Sequence, residues 1–178
     1  MDHSKAYLHS EEEAVKMAIE KEIAVQKFYR ENAERMAGGL TKKTFIYLAE
    51  QERKHEETIK KFNEQILRGK NPDVSLKTIT IEKMKQFLGE NMEAVREKML
   101  ATKDELRVYD MAKERELQAF KFYKEAAGEA SHESVKRLFT FLMHEEDGHY
   151  HLLANVISYL KNPENYFMDN EGWNFEGA

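Results

Sequence analysis

Apolar side chains recur every three or four residues along four long stretches of the chain, and this spacing predicts four amphipathic α-helices. We place these helices at residues 10–37, 41–68, 102–128 and 131–161. Short turns that contain glycine separate the first helix from the second and the third from the fourth, so each pair should form an antiparallel hairpin. The pattern predicts an all-α bundle of two hairpins.

Two of the predicted helices begin with the spacing of a capping box. Ser10 precedes Glu13, and Thr102 precedes Glu105, by three residues each. In a capping box a hydroxyl and a carboxylate satisfy the first free N–H groups of the helix. The sequence therefore predicts that the first and third helices start near residues 10 and 102.

The connection between the second and third helices has a different character. Residues 69–101 are more polar, and Asn71-Pro72 prevents the second helix from continuing. This segment is long enough to cross the bundle from one end to the other. The last stretch, residues 162–178, is rich in aromatic side chains, and we expect it to dock on the bundle or on a second subunit. We predict one domain over residues 1–178 with a long crossover between helices two and three.

Composition narrows the function classes. Charged residues make up 34% of the 178 residues, and the net charge of -5 gives no reason to expect nucleic acid as a partner. No apolar run approaches the length of a membrane span, and no signal-peptide core is visible, so we expect a cytoplasmic protein. The absence of cysteine excludes disulfides and iron sites built from thiolates within these residues. Any metal must be held by oxygen and imidazole nitrogen.

Three Glu-x-x-His pairs occur, a spacing that places both side chains on one helical face: Glu52–His55, Glu129–His132 and Glu146–His149. A single such pair arises easily by chance. Two of them belong to a pseudo-twofold repeat of the hairpins at an offset of 94 residues. The matched positions of the two halves are Ala18 and Ala112, Glu22 and Glu116, Tyr29 and Tyr123, Phe45 and Phe139, Leu48 and Leu142, Glu52 and Glu146, and His55 and His149. We interpret the third pair and the four other histidines, His3, His9, His144 and His151, as solvent-exposed.

The repeat adds Glu22 and Glu116 to the two pairs. At about 1.5 Å per residue, Glu22 and Glu52 lie roughly 20–24 Å from the Gly38-Gly39 turn, and their counterparts lie at a similar depth. Packing the hairpins together should bring six side chains to one level of the interior, namely Glu22, Glu52, His55, Glu116, Glu146 and His149.

Four carboxylates at one level of a core destabilise the fold unless cations neutralise them, because buried unpaired charges are costly and like charges repel. Lys113, one turn before Glu116, is the only candidate cation on the inner faces. Two divalent ions would balance the four negative charges. Carboxylate oxygen and imidazole nitrogen suit iron or manganese, and zinc also fits this donor set. We predict two metal ions, with iron preferred for a redox function.

These residues resemble the ferritin-like superfamily and, within it, the rubrerythrin-type di-iron proteins. In each half, a Glu lies seven residues before a Tyr on one helix, and Glu-x-x-His follows on the next. The segments are Glu22-Ile23-Ala24-Val25-Gln26-Lys27-Phe28-Tyr29 with Glu52-Arg53-Lys54-His55, and Glu116-Leu117-Gln118-Ala119-Phe120-Lys121-Phe122-Tyr123 with Glu146-Asp147-Gly148-His149. The resemblance covers about residues 10–160 and implies a ferritin-like four-helix bundle.

The resemblance also implies roles for individual residues. Glu52 and Glu146 would bridge or chelate the two irons, Glu22 and Glu116 would be terminal carboxylates, and His55 and His149 would each bind one iron. Tyr29 and Tyr123 are similar to inner-face tyrosines that hydrogen-bond ligand carboxylates in that family, and we take them as candidate catalytic residues. The alternative interpretation of both tyrosines is ordinary core packing with the hydroxyl satisfied elsewhere.

Two departures from the family pattern affect the expected function. Rubrerythrins usually carry a rubredoxin-like iron domain with four cysteines, whereas this sequence has none, so electrons should come from a separate donor such as a rubredoxin-like protein. Rubrerythrins also usually have a seventh carboxylate about one turn after the third-helix glutamate, where this sequence has Ala119 and Phe120. The resemblance therefore implies the di-metal site more firmly than the ligand-switching peroxidase cycle of the family.

The function that follows from the resemblance is a di-iron oxidoreductase that reduces peroxide or dioxygen, with a role in oxidative stress. Two alternatives stay open from the sequence: a ferroxidase or iron-handling protein, and a metal-stabilised bundle without turnover. We also expect a homodimer.

Overall fold

The computed structural model describes residues 3–36, 38–68, 72, 86–87, 89–91 and 102–162, with side chains from residue 11 onward. Four long helices occupy these ranges: α1 (His3–Arg35), α2 (Gly39–Leu67), α3 (Lys103–Glu129) and α4 (Glu133–Lys161). Residues 86–87 and 89–91 are also helical. Most of the predicted crossover and the aromatic stretch after residue 162 lie outside the described residues.

The four helices pack as two hairpins. Helix α1 packs along α2 and α3 packs along α4, while the hairpins meet through contacts of α1 with α3 and of α2 with α4. The apolar positions that the sequence places inside are buried, including Val15, Phe45, Tyr109 and Phe139. The all-α fold predicted from the periodicity is confirmed, and it is consistent with a ferritin-like bundle.

The apolar core is divided into two clusters with a polar level between them. One cluster contains Val25, Ala49 and Ala112, and the other contains Ala18, Ile59 and Ala119. Along each helix a buried glutamate lies between the residues of the two clusters, for example Glu22 between Ala18 and Val25. Consequently the apolar layers on both sides seal the polar level from the ends of the bundle.

The turn between α1 and α2 depends on glycine. Gly38 has a φ of 133° and Gly39 has a φ of 78°, and the backbone of residues other than glycine rarely adopts such positive values. The turn lies where the sequence predicts it, although α2 begins two residues before the predicted position of 41.

One predicted capping box is confirmed and the other is wrong. The Thr102 hydroxyl accepts a hydrogen bond from the backbone N–H of Glu105 at 3.1 Å, and the Glu105 carboxylate accepts one from the backbone N–H of Thr102 at 2.9 Å. Helix α1, however, passes through Ser10 and begins at His3. No glycine or proline occurs in residues 3–10, so nothing in the local sequence stops the helix at Ser10.

The N-terminus of α4 is capped by a residue from another helix. Glu11 on α1 is buried, and its Oε1 accepts hydrogen bonds from the backbone N–H groups of Ser131 at 2.6 Å and His132 at 2.9 Å. His132 is the N-cap residue of α4, and its own side chain makes no capping hydrogen bond. A carboxylate at this end also complements the positive end of the helix dipole. Glu11 therefore joins the first and last helices.

Replacing Glu11 with Ala should lower the free energy of unfolding by about 1–2 kcal/mol, the usual effect of removing an N-cap. The expected fall in Tm is roughly 2–8 °C, measured by circular dichroism. Glu20→Ala is the matched control, because Glu20 is an exposed glutamate on the same helix. Equal effects of the two substitutions would contradict the capping role.

Candidate metal centre

The fold brings all six predicted side chains together at the polar level. Each is at most 4% exposed: Glu22, Glu52, His55, Glu116, Glu146 and His149. They form two overlapping groups in which one ligand atom from each residue lies within 4.8 Å of the others. Glu52 and Glu146 belong to both groups, while Glu22 and His55 complete one, and Glu116 and His149 complete the other. Two sites that share two carboxylates are the arrangement expected of a two-metal centre.

Both histidines direct the same ring nitrogen at the centre. Nδ1 of His55 lies 3.2 Å from Oε2 of Glu52 and 3.6 Å from Oε2 of Glu22. Nδ1 of His149 lies 2.9 Å from Oε1 of Glu52 and 3.7 Å from Oε2 of Glu116. The two rings stack with their centroids 5.3 Å apart and an angle of 16° between planes. The pseudo-twofold repeat in the sequence thus becomes a pseudo-twofold arrangement of donor atoms.

Two buried tyrosines connect the hairpins through this level. The Tyr29 hydroxyl on α1 donates a hydrogen bond to Oε1 of Glu116 on α3, and the Tyr123 hydroxyl on α3 donates one to Oε1 of Glu22 on α1. Burial and the nearby carboxylates raise the pKa of both phenols, so both hydroxyls stay protonated and act as donors. Each tyrosine fixes the orientation of a carboxylate on the opposite hairpin.

Replacing Tyr29 with Phe should lower the free energy of unfolding by about 1–3 kcal/mol, because a buried carboxylate oxygen loses its donor. Tyr123→Phe should have a similar effect, since it occupies the equivalent position. The control is Tyr150→Phe on α4, a half-buried ring for which the described part of the chain shows no hydrogen-bonded hydroxyl. If thermal unfolding gave all three variants the Tm of the wild type, the proposed role of the hydroxyls would be contradicted.

The four carboxylates fall into two electrostatic classes. Burial and the charges of Glu52 and Glu146 raise the pKa of Glu22 and Glu116 well above the usual range of a glutamate. Burial also acts to raise the pKa of Glu52 and Glu146, but the neighbouring His149 and His55 outweigh it and hold both below that range, with Glu116 also lowering that of Glu146. In the metal-free protein the outer pair, Glu22 and Glu116, therefore binds protons more readily than the shared pair.

The histidines respond to the surrounding negative charge. Burial acts to lower the pKa of His55 and His149, yet the carboxylates around each ring raise it well above the usual value. The surrounding carboxylates therefore favour the protonated form of both imidazoles in the metal-free protein.

Several donor atoms at the centre have no hydrogen-bond partner among the described residues. They are Oε1 of Glu52, Oε2 of Glu116, Oε1 of Glu146, and Nδ1 and Nε2 of His149. Although Nδ1 of His149 is close to Oε1 of Glu52, the angle does not suit a hydrogen bond. In the described ranges no lysine or arginine pairs with any of the four carboxylates. With all four carboxylates ionised and both imidazoles neutral, the six side chains carry a charge of -4, and this set of oxygen and imidazole donors fits two divalent cations.

Comparison with known proteins agrees with this geometry. A sequence model of the Rubrerythrin family matches residues 13–157. The chain belongs to the rubrerythrin family. One solved structure, described as a hypothetical protein from Pyrococcus furiosus, is 28% identical with a TM-score of 0.61, and the match covers 86% of this chain and 92% of that one. No curated protein matches the chain. The family and the buried carboxylate and histidine groups together fit a di-iron site.

The departure from the rubrerythrin pattern on the third helix is visible in the structure. Ala119, one turn after Glu116, is buried and belongs to the apolar cluster beside the polar level. The neighbouring Phe120 is half-buried, and the ammonium nitrogen of Lys124 lies over its ring, 5.9 Å from the ring centroid. This position therefore contributes packing and no seventh carboxylate.

Residues that the sequence excluded from the centre lie outside it where their side chains are described, and the side chains of His3 and His9 are outside the described part. Glu129 and His132 are exposed, and so are His144 and His151. Lys113, the candidate cation, lies over the ring of Tyr150 at 4.8 Å from its centroid and forms no ion pair with the centre. None of the helices in the described ranges is long and apolar enough to span a membrane.

Sequence reasoning missed one buried carboxylate beside the centre. Glu145 on α4 is 2% exposed, and its Oε2 lies 3.5 Å from Nε2 of His55 on α2. Its position three residues after Leu142 on the inner face was a usable signal, because side chains three residues apart share a helical face.

Proposed function

We propose that this member of the rubrerythrin family is a di-iron oxidoreductase that reduces peroxide or dioxygen with electrons from a separate donor protein. The observation that supports it best is the sharing of Glu52 and Glu146 by two donor groups, Glu22 with His55 and Glu116 with His149. Shared carboxylates would place two metals close enough together to act on one small oxidant, whereas two separate single-metal sites would not. The two metals would be held by six side chains, those of Glu22, Glu52, His55, Glu116, Glu146 and His149.

Bound ferrous ions would supply electrons and Lewis acidity to the oxidant. The chain supplies the surroundings that this chemistry needs. The apolar clusters on both sides limit access of water and lower the local dielectric constant, which strengthens the electrostatic interactions at the centre. Tyr29 and Tyr123 hold Glu116 and Glu22 in place by hydrogen bonds, which keeps protonated hydroxyls next to the ligand carboxylates.

Reduction of peroxide to water consumes electrons and protons in equal number. The hydroxyl protons of Tyr29 and Tyr123 lie on hydrogen bonds to carboxylates of the centre, so they are placed to replace protons used there. No cysteine is available in these residues for a second redox group. The donor of electrons is therefore proposed to be another protein, of which a rubredoxin-like protein is one example.

The test is turnover by the full chain loaded anaerobically with ferrous iron and freed of excess metal. With a chemically reduced rubredoxin as donor, repeated consumption of peroxide or dioxygen per chain is expected. Zinc-loaded protein is the matched control, since zinc occupies the same donors without redox chemistry. Turnover by the zinc form would trace the activity to something other than the centre.

The same experiment separates the alternatives. Catalytic oxidation of ferrous iron with retention of many irons per chain would replace the proposal with a ferroxidase or iron-storage function. Stoichiometric metal that raises Tm but does not change its optical spectrum with peroxide would leave a metal-stabilised bundle without turnover.

A further inference from the structure

The two histidines of the centre differ at their outer ring nitrogen. Nε2 of His55 lies 3.5 Å from Oε2 of Glu145, and both side chains are almost completely buried. Nε2 of His149 is buried too, but it has no hydrogen-bond partner in the part of the chain that the structure describes. The Nδ1 atoms of the two histidines have equivalent positions in the pseudo-twofold repeat, whereas the surroundings of their Nε2 atoms differ.

The difference follows from two pairs of equivalent positions in the repeat. The residue before the shared glutamate is Glu145 on α4 and Gln51 on α2, at the offset of 94 residues. Gln51 is also buried, but it carries no charge. Four residues earlier, Phe141 packs edge-on against the His55 ring at 6.2 Å, and its equivalent is Tyr47. A sequence difference therefore accompanies the geometric one.

A carboxylate at the outer nitrogen changes how well an imidazole binds metal. It holds the proton on Nε2, keeps the ring oriented with Nδ1 toward the metal, and increases the basicity of Nδ1. Removing such a partner typically weakens metal binding by about 10–100-fold. Glu145 also adds a fifth buried carboxylate close to one half of the centre.

We propose that Glu145 is a positioning residue that makes the two metal positions unequal. The position completed by His55 and Glu22 fills first, and the position completed by His149 and Glu116 binds its metal about 10–100-fold more weakly. This inference rests on the proposed two-metal centre. Because chemistry at a metal pair needs both ions, the weaker position sets the metal concentration at which the chain becomes active.

The first test is titration of the metal-free full chain with cobalt(II), a redox-stable probe, by calorimetry and visible absorption. Two binding steps separated by about 10–100-fold in Kd are expected. Crystals grown with one equivalent of cobalt should show the anomalous peak beside His55. Two equal steps, or a first peak beside His149, would overturn the inference, whereas no cobalt binding would refute the metal centre itself.

The decisive test exchanges the two equivalent residues. Glu145→Gln should weaken the first step by about 10–100-fold and leave the second nearly unchanged, and Gln51→Glu should tighten the second step. The double variant Glu145→Gln/Gln51→Glu should move the first cobalt to the position beside His149. A purely structural role of Glu145 predicts no such inversion.

Circular dichroism of the metal-free variants verifies that each is folded before titration. If Glu145→Gln does not fold, Gln51→Glu alone still decides the matter, because it leaves the His55 side intact. Binding steps that stay unchanged in Gln51→Glu would then count against control by the outer carboxylate.

Discussion

The Glu52→Gln variant is expected to lose nearly all of the stabilisation that metal gives the wild-type protein. Glu52 belongs to both donor groups, so its substitution removes a charged ligand from both metal positions at once. Glutamine has nearly the same size, and the packing around the buried side chain is therefore preserved. The substitution should therefore weaken metal binding more than it lowers the stability of the metal-free protein.

The expected size follows from the linkage between binding and folding. A metal at about 100-fold its Kd stabilises a protein by about 2.7 kcal/mol per site, and two sites correspond to a rise in Tm of roughly 10–20 °C. Calorimetry of wild type and Glu52→Gln, with and without iron or manganese, measures this difference. The variant should retain a rise of only a few degrees.

Two further variants make the prediction specific. Glu22→Gln affects a ligand of one group alone, so it should reduce metal content from two ions to about one. Glu50→Gln removes a partly exposed carboxylate on the same helix that pairs with Arg53, and it should leave metal content unchanged. If Glu52→Gln still bound two metals with wild-type affinity, the assignment of the centre would be wrong.

The second large effect concerns pH, because metal and protons compete for the same groups. In the metal-free protein, carboxylates raise the pKa of His55 and His149 although burial opposes this. Their contribution to stability is full below the unfolded pKa of about 6.5 and is lost as pH rises through the raised folded pKa. The pKa of Glu22 and Glu116 is raised too, so their contribution to stability is likewise lost as pH rises above their unfolded pKa of about 4.3.

The shared carboxylates behave in the opposite way. The pKa of Glu52 and Glu146 is lowered in the folded protein, so their contribution is present above about pH 4.3 and is lost as pH falls through the folded value. Between about pH 6.5 and the raised pKa values of the histidines, the metal-free protein should therefore become less stable as pH rises. Below about pH 4 it should also lose stability.

Bound metal should reverse the fall in stability with rising pH near neutral pH. Metal binding needs neutral imidazoles and ionised carboxylates, so it releases protons and strengthens as pH rises. The difference in Tm between metal-loaded and metal-free protein should grow from about pH 5.5 to about pH 8. The double substitution His144→Gln/His151→Gln, at two exposed histidines, is the control and should keep this dependence. A difference in Tm that does not vary with pH would contradict the role of the buried groups.

The sequence predicted those parts of the protein that depend on local spacing. Apolar periodicity placed the four helices, and the glycines at 38 and 39 placed the first turn. The internal repeat selected Glu52–His55 and Glu146–His149 from three similar pairs, because a second copy at equivalent positions is hard to obtain by chance. Equal depth along straight helices then sufficed to predict that six side chains meet.

Other features depended on which helix lies opposite. Glu11 belongs to an acidic run at the start of a helix, and its role as the cap of α4 requires contact with residues 120 positions away. Glu145 carries a charge, and its pairing with His55 is decided by the packing of α4 on α2. The false helix start at Ser10 shows that a local capping pattern does not stop a helix when the preceding residues also favour one.

By itself, the sequence determined the all-α hairpin repeat and the six side chains that gather at the polar level, since helical spacing fixes which side chains share a face. Tertiary structure alone decided the partners across the bundle, such as Tyr29 with Glu116 and Tyr123 with Glu22. It also decided that the equivalent halves have unequal surroundings. The physical reason is that a partner on another helix depends on how the two hairpins pack, and the spacing within either hairpin carries no information about it.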